Sequence, residues 1–174
     1  KVIRRWLAGG DLRTVGRDVY VVGAAPATRL QDIWIGLLQA DVGSLVGLRT
    51  AAQTHTVGRF TTDAVDILEA ERVHHGAPAG APHRSTLIPA GHRTQVEGLP
   101  VTTIERTLFD LCGIASPRRR RRGLPWVSPI AAERAIDDAL ARGLAISRLQ
   151  RVLSELGGRG RPGTVLFRAL LEER

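Results

Sequence analysis

Methionine is absent, and cysteine, lysine and tyrosine each occur once, as Cys112, Lys1 and Tyr20. A lone cysteine cannot close an internal disulfide. That excludes a disulfide-stapled secreted scaffold and points to a reducing, cytoplasmic setting. No window approaches the roughly 18 uninterrupted apolar residues of a membrane span, and the N-terminus carries no signal-peptide pattern, so no membrane partner is expected. Heptad and triplet periods are missing, which excludes coiled coil and collagen. A hydrophobic content of 43% is too high for wholesale disorder. The 174 residues that remain are enough for one compact domain or two small ones.

What the chain has in excess is positive charge, 25 Lys+Arg against 17 Asp+Glu for a formal +8. Such a surplus suggests a polyanion partner, most often nucleic acid. Nearly all of it is arginine, in a chain rich in Ala, Gly and Val, so arginine abundance by itself reads as a coding bias. The distribution says more than the total. Residues 1–22 carry a net +3, Arg118 to Arg122 carry +5, and the remaining residues balance at 15 basic and 15 acidic.

Residues 1–8 read as a short amphipathic helix, with Val2, Ile3, Trp6 and Leu7 on one face and Lys1, Arg4 and Arg5 on the other. Gly9 and Gly10 stop it. Leu12–Val15 and Asp18–Val22 around Gly16-Arg17 then form a hairpin. After Pro26 and Thr28 a second helix carries Leu30, Ile33, Trp34, Leu37 and Leu38 at core-facing spacing. An apolar stretch at Gly43–Val46 precedes a helix over residues 49–56. A strand follows over residues 64–68, with Val65 and Ile67 on one side and Asp66 on the other. His74–His83 reads as a flexible connection.

Short strands are expected at Thr86–Ile88, Thr94–Val96 and Leu99–Val101, the last two around Glu97-Gly98. Thr102 or Thr103 caps a helix to about Cys112 that buries Leu108 and Leu111. Ser116–Pro125 is expected to be a basic loop. Ser128 and Pro129 open a helix ending at Gly143, Ser147 caps another ending at Gly157, and a last helix starts near Pro162 or Gly163. Strands in the middle and helices at the end make the class α+β. The organisation is a partial winged helix-turn-helix, recognition helix plus wing hairpin, over residues 1–25. A mixed α+β domain ending in a helical subdomain follows over residues 26–174.

A basic helix followed at once by a basic hairpin is the layout of the second half of a winged helix: the helix enters the major groove and the hairpin touches the flanking backbone. Arginine suits both tasks, since it holds phosphates by charge and reads guanine edges bidentately. On these residues alone, a helix and hairpin whose charges merely face water remain an equal alternative. The expected DNA contacts are Lys1, Arg4 and Arg5 in the groove or on phosphate, and Arg13 and Arg17 on the backbone through the wing. Arg118, Arg119, Arg120, Arg121 and Arg122 add diffuse, salt-sensitive attraction.

Other patterns read as ordinary structure. Glu69-Ala70-Glu71 near Asp66 has the acidic flavour of a nuclease site, but the only lysine is Lys1 and Arg72 does not titrate as a base, so a surface turn is expected. Gly158–Gly163 matches G-x-G-x-x-G but follows a helix, not a strand. Arg159-Gly160-Arg161-Pro162 looks like an AT-hook core, yet its place between two helices favours a turn. His74, His75, His83 and His92 are too irregularly spaced for a metal site, and Cys112 reads as a buried, inert thiol. No catalytic residue, cofactor or metal is expected.

Ile3-Arg4-Arg5-Trp6-Leu7-Ala8-Gly9-Gly10 with Gly16-Arg17-Asp18-Val19-Tyr20-Val21 resembles the end of the winged-helix domain of actinobacterial AbiEi-type antitoxins, from the abortive-infection (type IV) toxin–antitoxin systems. Three later stretches extend the resemblance along nearly the whole chain: Gly98–Thr103 with Arg106–Leu111, Ala135–Leu140 with Arg142-Gly143-Leu144, and Gly157–Gly163. The resemblance implies a DNA-binding transcriptional regulator that represses its own operon and whose cognate toxin is nucleotidyltransferase-like. Many such relatives continue into a very-short-patch-repair-like endonuclease domain. Against that pattern, the first helices of the winged domain do not appear and the sequence stops at Arg174, so the expectation is a piece of a longer product. The alternative is a protein-interaction module, the non-catalytic N-terminal portion of an endonuclease-fused relative.

Overall fold

The computed structural model describes residues 2–69, 81–85, 88–122 and 124–174. It is a mixed α+β structure with two sheets. The first helix, α1 (Val2–Gly9), ends where Gly10 turns left-handed at φ 80°. The hairpin of β1 (Leu12–Gly16) and β2 (Val19–Val22) follows, closed by Arg17-Asp18 with Asp18 at φ 58°. It is a two-stranded sheet of its own. Helix α2 (Arg29–Gln39) packs against both its strands, and the Gln39 side-chain amide donates to the Val15 carbonyl at 2.8 Å. Thr28 caps α2 by accepting from the Gln31 amide, as a Thr before an apolar stripe should.

The five-stranded sheet runs in the order β5-β4-β3-β7-β6, built from β3 (Leu45–Val46), β4 (Asp66–Glu69), β5 (Ala81–Arg84), β6 (Arg93–Val96) and β7 (Leu99–Thr102). β6 and β7 form the expected hairpin around Glu97-Gly98, both at positive φ, the geometry whose twist matches paired strands. β3 pairs antiparallel with β4 and parallel with β7, while β4 and β5 are parallel. Helix α2 lies close on this sheet: a Cβ added at Gly36 would meet Val65 at 3.1 Å. Ile33, Val46, Ala51, Val65, Ile67, Leu99 and Val101 bury together there.

A larger core is helical. α4 (Ile104–Ile114), capped by Thr103, packs against α3 (Leu48–Thr54), α6 (Pro129–Ala141), α7 (Ile146–Leu156) and α8 (Thr164–Glu172). Leu108, Leu111, Phe109 and Phe167 sit at its centre, the two phenyl rings edge-to-face at 5.4 Å.

Five expectations change. The Leu30, Trp34 and Leu38 half of the α2 stripe is exposed, because the sheet meets the Ile33/Gly36/Leu37 side instead. β4 is buried on both faces: Asp66, expected to face away from the core, is fully enclosed. Residues 81–84, including His83, form a strand beside β4 rather than a loose connection. Ile88 is not in a strand, and Thr86 and Leu87 lie outside the described residues. α7 begins at Ile146 after Ala145, so Ser147 lies inside the first turn and does not cap it.

Candidate nucleic-acid interface

Arg4 and Arg5 are exposed on α1, a helix with no acidic residue in its first turn and no buried residue anywhere. The same helix exposes Val2, Ile3 and Trp6. Arg13 and Arg17 are exposed on the hairpin. Both have acidic residues in their neighbourhood. Arg17 lies 3.8 Å from Asp18 in a fully hydrated pair. Arg13 borders a groove of about 390 Å³ that also carries Asp32 and Asp63. Arg4 and Arg5 have no ion partner among the described residues. Lys1 lies outside those residues.

Arg118 to Arg122 do not form a loop. Pro117–Arg121 is a short helix, α5, started by Pro117 at its first turn, with Arg122 as its C-terminal flank. A carbonyl-rich helix end favours cations, which offsets part of the mutual repulsion of the run. The five side chains are not equivalent. Arg119 donates to the Pro125 carbonyl at 3.1 Å, and burial lowers its pKa from the ordinary value. Arg120 stacks over the Trp126 ring at 5.0 Å. Arg118, Arg121 and Arg122 are exposed. α1 rests on β1 whereas α5 joins α4 to α6, so the two basic segments belong to separate parts of the architecture.

The turn over residues 159–163 holds its arginines differently from an extended hook. Arg161 is half-buried over the Phe109 ring at 5.5 Å; burial lowers its pKa, as does Arg106, while Asp110 opposes. Arg159 is exposed. The described acidic residues of the Asp66–Glu71 stretch are engaged separately. Asp66 is held by Arg49 at 2.7 and 2.8 Å, and Glu69 lies beside Asp41, its pKa raised by burial and then by that neighbouring charge. Glu71, His74 and His75 lie outside the described residues. His92 is buried with Nε2 2.8 Å from Glu155. Among the described residues no three His, Cys, Asp or Glu side chains gather to hold a metal. No helix among them is long and apolar enough to cross a membrane.

Sequence reasoning missed a cleft between the α3–β4 connection and α6. It encloses about 620 Å³, and Arg59, Phe60, Trp126 and Arg134 line it. Ala131, Arg134 and Asp138 share one face of α6, an i, i+3, i+7 signal legible in the sequence. Nothing local shows that this face meets residues 58–61. No protein-family model and no curated protein matches this chain.

Proposed function

We propose that the chain is a DNA-binding transcriptional regulator of the AbiEi-antitoxin type, acting on its own operon alongside a nucleotidyltransferase-like toxin. The observation that carries the reading is α1 with its continuation. Arg4 and Arg5 stand exposed and free of ion partners among the described residues, and Gly10 leads directly into a hairpin bearing Arg13 and Arg17. Helix α1 then acts as the recognition helix in the major groove and the hairpin as a wing on the backbone. The exposed arginines of α5 strengthen binding to any duplex without selecting a sequence.

The test is an Arg4→Ala/Arg5→Ala double substitution assayed on the DNA upstream of the coding sequence and on random duplex. Losing two phosphate contacts lowers the slope of log K against log salt by about 1.8. Loss of a base contact would also narrow the ratio of specific to random affinity. Unchanged affinity and slope overturn the reading.

A second reading has its own observation. Val2, Ile3 and Trp6 on α1 and Leu30, Trp34 and Leu38 on α2 are exposed apolar side chains, and such surface belongs to protein docking more than to DNA. In that reading the chain is a protein-interaction module preceding a nuclease domain. Trp34→Ala/Leu38→Ala then abolishes partner association and leaves duplex affinity intact.

A further inference from the structure

We infer that the cleft between the α3–β4 connection and α6 is a nucleotide-binding site, taking phosphate on Arg59 and Arg134 and the base against Trp126 and Phe60. It is independent of α1 and the hairpin, and stands whether or not they bind duplex.

Three observations meet there. The first is charge. Of the arginines lining the cleft, Arg49 is neutralised by the buried Asp66. The lining carboxylate of Asp138 is likewise engaged: it accepts from the Gly58 amide at 3.2 Å and pairs with Arg142 at 3.2 Å. Arg59 and Arg134 are exposed and have no carboxylate partner among the described residues, so the cleft keeps two uncompensated cations. The second is the aromatic content. The chain has only seven Phe, Trp and Tyr residues, yet Phe60 and Trp126 both line this one cleft. The guanidinium of Arg120 already stacks on the indole, which ties the basic helix α5 to the cleft wall.

The third is backbone strain. Thr56 at φ 57°, Gly58 at φ 73° and Arg59 at φ 48° are left-handed within four residues, and a β-branched Thr rarely adopts that region. A Cβ on Gly58 would lie 2.4 Å from the Phe60 ring and 2.8 Å from Ala135. The turn is held in this form from α6: Arg142 donates to the Thr56 hydroxyl at 2.7 Å, and Asp138 accepts from Gly58. Such over-determined strain is characteristic of ligand clamps. Here it fixes the turn that carries Arg59 and Phe60. A volume of about 620 Å³ lies within the usual range of small-ligand sites. Arginines along a groove with aromatic platforms are the means by which proteins hold unpaired nucleotides without sequence readout.

The nucleotide can be free or one unit of a single strand, and the experiment separates these. The full chain carrying Trp6→Phe and Trp34→Phe, both at exposed positions, leaves Trp126 as the sole indole reporter. Thymidine monophosphate and oligothymidylates of increasing length are titrated against its emission. Quenching that saturates equally for the monophosphate and the longest strand assigns the site to free nucleotides. Affinity that climbs with length assigns it to a strand. In either case Arg59→Asn/Arg134→Ala, which keeps a residue tolerant of left-handed φ at position 59, weakens binding about tenfold or more; in the strand case it also lowers the salt slope by about 1.4. Arg4→Ala/Arg5→Ala leaves this binding in place, which distinguishes it from the duplex reading. Trp126 emission unmoved at saturating probe, or a double variant that binds as tightly as the parent, overturns the inference.

Discussion

Gly163 and Gly160 lie three residues apart, both left-handed, and they separate two effects that sequence alone merges. Gly160 is at φ 80° with nothing within 4 Å of a would-be Cβ; Gly163 is at φ 93° with the Gly113 amide nitrogen at 2.6 Å and the Phe109 carbonyl at 3.0 Å. Gly160→Ala is therefore expected to cost about 1 kcal/mol, the conformational penalty alone. Gly163→Ala is expected to cost about 3 kcal/mol or more, because α8 must back away from α4. Urea denaturation of the two variants checks the difference. Cys112 gives a second residue-level prediction. Burial pushes its thiol from 9.0 up to about 12, against the opposing pull of Arg174. The folded thiol stays protonated while the unfolded one ionises, so this group's contribution to stability is intact below pH 9 and falls as pH rises from 9 toward 12. A thiol reagent at pH 8 should label Cys112 only after denaturation, and Cys112→Ala should lose that part of the alkaline decline.

Among the elements, α4 is held by a buried ion pair as well as by its apolar face. Arg106 has no exposed surface, donates to Asp110 at 2.8 Å one turn along, and reaches the Ser85 hydroxyl at 2.8 Å. Burial raises the pKa of Asp110, and Arg106 opposes the shift. Arg106→Met takes from the mostly buried Asp110 carboxylate its hydrogen-bonded cation, leaving only the more distant Arg161, and should cost about 3 kcal/mol. Adding Asp110→Leu should recover a large part of that loss, because the penalty lies in the unpaired charge. Chemical denaturation of the singles and the double tests this. The helix itself was legible: a threonine cap at Thr102 or Thr103, Leu108 and Leu111 inward, and an end near Cys112 all follow from local signals, and the structure assigns the cap to Thr103. The pairing was not, since an i, i+4 Arg/Asp on a helix is usually a hydrated surface pair. α5 departs from the expected loop for a related reason. Like charges favour extension in water, but Pro117 sets the first turn, and Arg119 and Arg120 find Pro125 and Trp126 within the same fold.

At the scale of the whole molecule, the charge surplus is confined to two segments, and each makes a different electrostatic statement. Arg118, Arg121 and Arg122 are exposed on α5. Replacing the three with Gln should weaken random and cognate duplex alike, lower the salt slope by up to about 2.7, and leave the ratio between the two sequences unchanged. Salt titrations on both duplexes read this directly, and a changed ratio would assign α5 a role in sequence selection. The sequence by itself determined the α+β class, most of the helices, both hairpins, helix starts at Thr28 and Ser128 and a threonine cap at Thr102 or Thr103. These depend on contacts within a few residues, which composition and period encode. Only the tertiary structure decided which side of α2 is buried, that Asp66 and Arg106 are enclosed charges with partners, and that Arg59, Phe60, Trp126 and Arg134 line one cleft. Those facts depend on residues dozens of positions apart meeting in space, and periodicity within one element does not carry that information.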